Sequence, residues 1–307
     1  MATTQTGLSI DPHLLQSLRG IELKSRLLVR GLYSNRHRTK EFGHSTEFIE
    51  HRDYRPGDDV RSIDWRLYAR TDRVFVKRHE MESNMRVHFL LDTSDSMRVP
   101  PPPGLPGKLE LASVIVGAVA TMVAMQQDAA GLFCLGDRIE ERIPARQGAG
   151  HLAQIYQHLQ DPKGSGGGNF GELVAHATRS MRRRAVAFVV TDALDDWDVL
   201  FDALRGLCVR EHDVTLFQVM DRDELEFPYD RMTEFRHPES SSRVVGDPMV
   251  LRDGYMNRLG AFLQRVESDC KRWRVDYVRL HNADDLVRCL RSHFLRRLLA
   301  GKRGRAR

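Results

Sequence analysis

The chain contains no Cys-x-x-Cys pair. Its four cysteines, Cys134, Cys208, Cys270 and Cys289, lie far apart. That spacing suggests neither a zinc knuckle nor a redox pair, and reduced thiols are the expectation. No apolar run reaches the ~20 residues needed to span a bilayer. The longest candidate, residues 111–125, holds Ser113, Gly117 and Thr121 and reads as a buried helix. The opening Met-Ala-Thr-Thr-Gln-Thr lacks a charged and apolar leader, so a cytoplasmic location is expected. No Gly-x-x-x-x-Gly-Lys-Ser/Thr occurs. Gly104-Leu-Pro-Gly107-Lys108 has the wrong spacing, which excludes a phosphate-cradling loop of that type. Aromatics are scarce at 7%, so aliphatic side chains must fill the core of this 307-residue chain.

The net charge of +5 is unevenly placed. Residues 291–307 carry Arg291, Arg296, Arg297, Lys302, Arg303, Arg305 and Arg307 with no acid, and removing those seven leaves −2. The basic character belongs to the tail. Such a tail suits a helix C-terminus in solvent, or contact with nucleic acid or an anionic surface.

From residue 87 onward, strands and helices alternate. Strands are predicted at 87–91, 131–135, 138–143, 185–191, 213–220 and 274–280. Helices are predicted at 108–127, 150–159, 170–181, 196–209, 254–272 and 284–300. This pattern predicts an α/β fold: a doubly wound, mainly parallel six-stranded sheet with helices on both faces. The expected strand order is 3-2-1-4-5-6. Residues 222–250, with Pro228, Pro238 and Pro248, read as a surface insertion with a hairpin around Glu239–Ser242. Residues 1–86 read as an N-terminal extension containing a helix over 12–30 stopped at Gly31, with a strand at 74–76. The domain expectation is therefore 1–86, 87–301 and a basic tail at 302–307.

The apolar run Val87–Leu91 ends in Asp92-Thr-Ser94-Asp-Ser96. One carboxylate and two hydroxyls within five residues form an oxygen-only set suited to Mg²⁺. In the expected order, strand four ends beside strand one, which brings Asp192 to the same crevice. The loop Gly164-Ser165-Gly-Gly-Gly-Asn169 precedes a helix and can reach the same mouth. This constellation resembles the metal-ion-dependent adhesion site (MIDAS) of von Willebrand factor type A domains. The resemblance implies Ser94 and Ser96 as direct Mg²⁺ (or Mn²⁺) ligands, and Asp92 and Asp192 acting through water. A partner's exposed Asp or Glu would complete the shell. The family's loop threonine is replaced by Gly168, with Asn169 or Ser165 as candidate substitutes.

Upstream lies a dense run: Arg52-x-Tyr54, Pro56-Gly-Asp58-Asp59, Arg61-x-Ile-Asp64-Trp65 and Ala69-Arg70. It is similar to the bacterial family called domain of unknown function 58, and the resemblance runs from about residue 30 to the end. Arg52, Arg55 and Arg61 can form bidentate pairs with Asp58, Asp59 and Asp64, with Tyr54 and Trp65 packing beside them. Arg70 closes the signature. This set reads as a structural network or a partner-binding face.

The family resemblance implies a non-catalytic adaptor working with a MoxR-type AAA+ ATPase in protein assembly or activation. Two alternatives stand beside it. One is a Mg²⁺-dependent phosphohydrolase with a strand-end aspartate nucleophile, although Ser94 stands where a second acid is expected and no lysine pairs obviously with strand five. The other is a nucleic-acid or anionic-surface binder acting through the tail.

Overall fold

The computed structural model describes residues 18–33, 50–54, 65–71, 73–78, 85–164, 166–194, 196–239 and 242–294, with Pro12 and Gln16. The chain forms two compact units, residues 36–84 and the remainder.

Helix α1 spans Ile21–Tyr33 and belongs to the larger unit. Gly20, at φ +87°, precedes it, and the Gln160 side chain accepts the Ile21 N–H at 2.9 Å. Gly31 is buried inside the helix instead of stopping it. In the smaller unit, β1 (Glu50–Asp53) and β2 (Phe75–Arg78) pair antiparallel, with α2 (Trp65–Thr71) between them in sequence.

The larger unit continues with β3 (Arg86–Asp92), α3 (Lys108–Met125), β4 (Ala129–Leu135), β5 (Ile139–Arg146), α4 (Ala149–Gln160) and α5 (Phe170–Arg179). Next come β6 (Val186–Thr191), α6 (Trp197–Val209), β7 (Asp213–Met220) and α7 (Arg222–Glu226). The hairpin β8 (Thr233–Arg236) and β9 (Arg243–Gly246), α8 (Pro248–Arg272), β10 (Asp276–His281) and α9 (residues 286–294) complete it.

Six strands form one sheet in the order β10-β7-β6-β3-β4-β5. In order of sequence this is 6-5-4-1-2-3, the predicted arrangement. All neighbours pair parallel except β4 and β5, which join antiparallel through the turn at Gly136-Asp137. Alternation along β3 divides the core. Val87, Phe89 and Leu91 face one layer with α1, α3, α4 and α9. Leu90 faces the other with α5, α6 and α8. Phe89, Phe188 and Phe217 stack across β3, β6 and β7 at centroid distances of 5.5 and 5.8 Å, which compensates for the shortage of aromatics elsewhere.

The expectation that residues 1–86 form one extension is corrected by α1. Ser25 Oγ donates to the Val114 carbonyl at 3.1 Å, and Lys24 pairs with Glu110. The two helices can approach this closely because residue 117 is glycine: a Cβ there would sit 2.4 Å from Ser25 Oγ. Complete burial of Leu28 adds roughly 1.5–3 kcal/mol. Among the described residues, α3 is the one helix long and apolar enough to cross a membrane by length and composition, and 67% of it is buried inside the domain.

The hairpin forms as expected, with Thr233 opposite Gly246. Phe227, Tyr229, Phe235 and Tyr255 pack together and hold its base on α8. Helix α8 starts six residues before the predicted Gly254. Pro248 reads as a breaker in sequence, yet at the first helical turn its fixed φ suits the helix. Asp247 caps that turn by accepting the Met249 N–H at 3.0 Å.

Candidate metal centre at the strand ends

Strands β3 and β6 are parallel neighbours with Leu91 opposite Val190. Their carboxyl ends therefore deliver Asp92 and Asp192 to one mouth, at 3% and 2% exposure. Beyond Asp92 the chain turns through Thr93 and Ser94 into a single 3₁₀ turn, Asp95–Arg98. That turn brings Ser96 back beside Ser94, with the two hydroxyl oxygens 3.0 Å apart. The structure thus brings together all four principal residues predicted from sequence.

The two acids are held differently. Asp92 Oδ1 accepts the Ser94 N–H at 3.0 Å, and Oδ2 accepts the Thr191 hydroxyl at 2.6 Å. Burial, then the charge of Asp192, push the Asp92 carboxyl up to about 7, while the bonds from Thr191 and Ser94 pull it down. Asp192 Oδ1 accepts the Leu194 N–H at 3.2 Å. Its Oδ2 receives the Lys108 ammonium at 2.9 Å, and the same ammonium reaches Glu224 Oε1 at 2.6 Å. Lys108 is 1% exposed. Burial works against its charge, but Asp192 and Glu224 outweigh burial and raise its pKa above the ordinary lysine value.

A second polar layer fixes these groups. Glu224 Oε2 accepts the Asp221 N–H at 2.8 Å within the capping box of α7. Asn282 donates to Asp221 and, at 3.2 Å, to the Pro106 carbonyl just before α3. Gln218 donates to the Asp192 carbonyl at 2.9 Å and accepts from Tyr277 at 2.5 Å. Burial, then Glu224, push the Asp221 carboxyl up to about 7.

The glycine-rich loop reaches the mouth, with Asp95 N–H donating to the Gly166 carbonyl at 3.3 Å. Gly164 and Gly166 adopt φ +129° and +83°, conformations that favour glycine. A Cβ at Gly164 would lie 2.2 Å from Thr93 Oγ1, a buried hydroxyl with no hydrogen-bond partner among the described residues. Gly168 cannot gain a side chain in place, because a Cβ would stand 2.7 Å from Asp137 Cα and 2.8 Å from the Gly136 carbonyl. Asn169 is committed elsewhere: it caps α5, its Oδ1 accepting the Glu172 N–H at 3.2 Å. Ser165 lies outside the described residues. The hairpin tip sets Glu239 against Gly167.

The donor set fits a small hard cation. All its atoms are oxygens, the two serine hydroxyls are adjacent, and a second buried carboxylate raises the Asp92 pKa, an effect that a cation would relieve. Among the described residues no group of three His, Cys, Asp or Glu is arranged to hold a metal. The set here differs in kind because it depends on hydroxyls. Two surface grooves, one lined by α5 and α6 and one around Tyr277 and Arg288, are not lined by these residues.

Sequence reasoning missed Lys108, Thr191, Glu224, Asp221 and Asn282. Lys108 carried a legible signal. A cation in the first turn of an apolar helix opposes the helix dipole and calls for an acid facing it. Thr191 ends β6, Glu224 lies on α7 and Asp221 and Asn282 follow β7 and β10, so their convergence depends on the tertiary fold.

In the smaller unit, Tyr54 donates its backbone N–H to the Val74 carbonyl at 2.9 Å. Arg52 lies on β1 opposite Val76. Trp65 is 61% exposed, in edge contact with Tyr68, and Arg70 is exposed at the end of α2. Arg55, Asp58, Asp59, Arg61 and Asp64 lie outside the described residues.

Among solved structures, the chain is similar to the conserved hypothetical protein BatB from Bacteroides thetaiotaomicron, at 16% identity and a TM-score of 0.46 over 69% of this chain and 98% of that one. An aerotolerance-related membrane protein from Bacteroides fragilis gives 16% identity and a TM-score of 0.45, over 69% and 99%. The uncharacterized proteins Rv1480 of Mycobacterium tuberculosis and Mb1516 of Mycobacterium bovis are each 28% identical over 224 residues, 71% of this chain and 68% of theirs. Residues 50–260, more than half of the chain, match the model for "Protein of unknown function DUF58", and the chain belongs to that family.

Proposed function

We propose that this chain is a non-catalytic interaction module with a von Willebrand factor type A-like domain, which binds a partner protein through Mg²⁺ held at the strand-end mouth. One observation carries the reading: Asp92, Ser94, Ser96 and Asp192 converge at the ends of two adjacent parallel strands. Ser94 and Ser96 would hold the ion directly, with Asp92 and Asp192 behind water. Bound there, Mg²⁺ supplies a positive charge incompletely neutralised by neutral ligands, so it attracts a carboxylate. The chain's own residues orient the hydroxyls. Thr191 and the Ser94 amide fix Asp92, and the 3₁₀ turn fixes Ser96. The partner carries an exposed Asp or Glu, and a cytoplasmic MoxR-type AAA+ ATPase is the proposed co-worker. The test is capture of the MoxR-type ATPase from the same organism by the purified protein, in Mg²⁺ and in EDTA. Capture lost in EDTA and in a Ser94→Ala, Ser96→Ala variant is expected. Undiminished capture by that variant in Mg²⁺ would remove the metal mechanism.

A second reading, Mg²⁺-dependent phosphohydrolysis, gains one observation. Lys108 stands beside a strand-end acid, a lysine that the sequence reading lacked. It is, however, enclosed between two carboxylates, and Ser94 still occupies the position of the second acid. Hydrolysis of p-nitrophenyl phosphate that disappears in Asp92→Asn would favour this reading. The basic tail from residue 295 onward lies outside the described residues, so the anionic-surface reading gains no observation.

A further inference from the structure

Lys108 combines two unfavourable placements. Its ammonium is buried, and it sits at the end of α3 where the helix dipole is positive. What holds it is a frame built from three other elements. Asp192 comes from the end of β6. Glu224 comes from α7, where its second oxygen is tied to the Asp221 N–H and its carbonyl accepts the Tyr255 hydroxyl at 2.7 Å. Asn282 ties Asp221 to the Pro106 carbonyl, two residues before Lys108 itself. The ammonium is therefore fixed in position and is not a surface charge that can swing away. It lies on the acid that the metal reading also requires.

We propose that Lys108 is a tethered counter-ion of the mouth, which shares Asp192 with the divalent ion and sets how tightly that ion binds. The proposal rests on the Mg²⁺ reading above. A cation held at Ser94 and Ser96 and the Lys108 ammonium would both draw on the Asp192 carboxylate, and like charges in a poorly screened site repel. Glu224 moderates that repulsion by drawing the ammonium toward α7. The resting mouth therefore binds metal weakly, and the partner's carboxylate is needed to complete the ion's coordination. Because the ammonium is buried, its influence should persist in salt, unlike that of an exposed charge.

The test is calorimetric titration of Mn²⁺ and Mg²⁺ into wild type, Lys108→Met and Glu224→Gln, each in 0.1 M and 0.5 M KCl. Lys108→Met should bind at least about tenfold tighter than wild type at both salt concentrations. Glu224→Gln should bind several-fold weaker, because the ammonium is left to Asp192 alone. Thermal unfolding of Lys108→Met with Mn²⁺ gives a second reading: the metal should stabilise this variant more than it does wild type. Should Lys108→Met fail to fold, Glu224→Gln decides, and unchanged affinity there overturns the proposal. Equal or weaker binding by folded Lys108→Met, or an increase that vanishes at 0.5 M KCl, overturns it as well. Absence of binding in all three proteins even with free acetate present removes the Mg²⁺ reading itself, whereas wild-type binding unaltered by either substitution removes only the role of Lys108.

Discussion

Asp92 and Asp192 end neighbouring strands, are equally buried, and are satisfied in opposite ways. Asp92 is surrounded by neutral donors, the Ser94 amide and the Thr191 hydroxyl, and its pKa rises to about 7. Asp192 holds a full positive charge on a buried lysine. The contrast shows that charge in the mouth is lopsided. The β6 side is already neutralised, and the β3 side, with its two serines, is where an added cation has most to gain. Burial alone does not decide the state of a strand-end acid; what faces it does.

The contrast can be broken most severely at the lysine. Lys108→Met leaves the buried Asp192 and the half-buried Glu224 without their counter-ion, and a loss of about 3–5 kcal/mol is expected in urea unfolding. A loss below about 1 kcal/mol would mean that the pair contributes little. Next comes acidity. Asp92 and Asp221 titrate near 7 in the folded chain and near 3.8 when unfolded. The folded state therefore binds more protons between those values, and the stability these two groups contribute should be fullest below about pH 4 and be lost as pH rises to 7, by on the order of a few kcal/mol. Asp221→Asn should flatten part of that fall, as followed by unfolding midpoints across pH 4 to 8.

Smaller effects sharpen the comparison from the loop side. Gly168→Thr, which would restore the hydroxyl expected of the motif, should lower stability by ~1–3 kcal/mol and give no gain in Mg²⁺ affinity, because its Cβ meets the Gly136-Asp137 backbone. Tighter Mg²⁺ binding by a stable Gly168→Thr protein would contradict that packing argument. Asn169→Ala should cost about 1 kcal/mol as a lost helix cap, with Mg²⁺ affinity unchanged. A large fall in affinity would make Asn169 a ligand after all.

Much of this arrangement was legible in the chain. The strand order followed from alternating elements, since a parallel sheet with helices on both faces admits few topologies. Asp92, Ser94 and Ser96 were legible because they are contiguous and follow an apolar run. Asp192 was legible because the topology places its strand beside β3. What escaped was set by three-dimensional packing. Helix α1 docks through Ser25 and Gly117, a contact between positions 92 residues apart that no local pattern announces. Pro248 starts a helix that its residue type seemed to forbid. Glu224, on α7 after β7, and Asn282, just beyond β10, have meaning only around Lys108. Lys108 itself was visible as a charge against a helix dipole but was weighed only as a failed phosphate-loop lysine.

The most direct test is Mg²⁺ titration calorimetry on the wild-type protein, with the Ser94→Ala, Ser96→Ala variant as control. Saturable binding that disappears in the variant, while its unfolding midpoint is nearly unchanged, is the predicted result. No binding to the wild type even in the presence of free acetate or an acidic peptide, or binding that survives loss of both hydroxyls, would contradict the assignment of the strand-end mouth as a metal-dependent contact site.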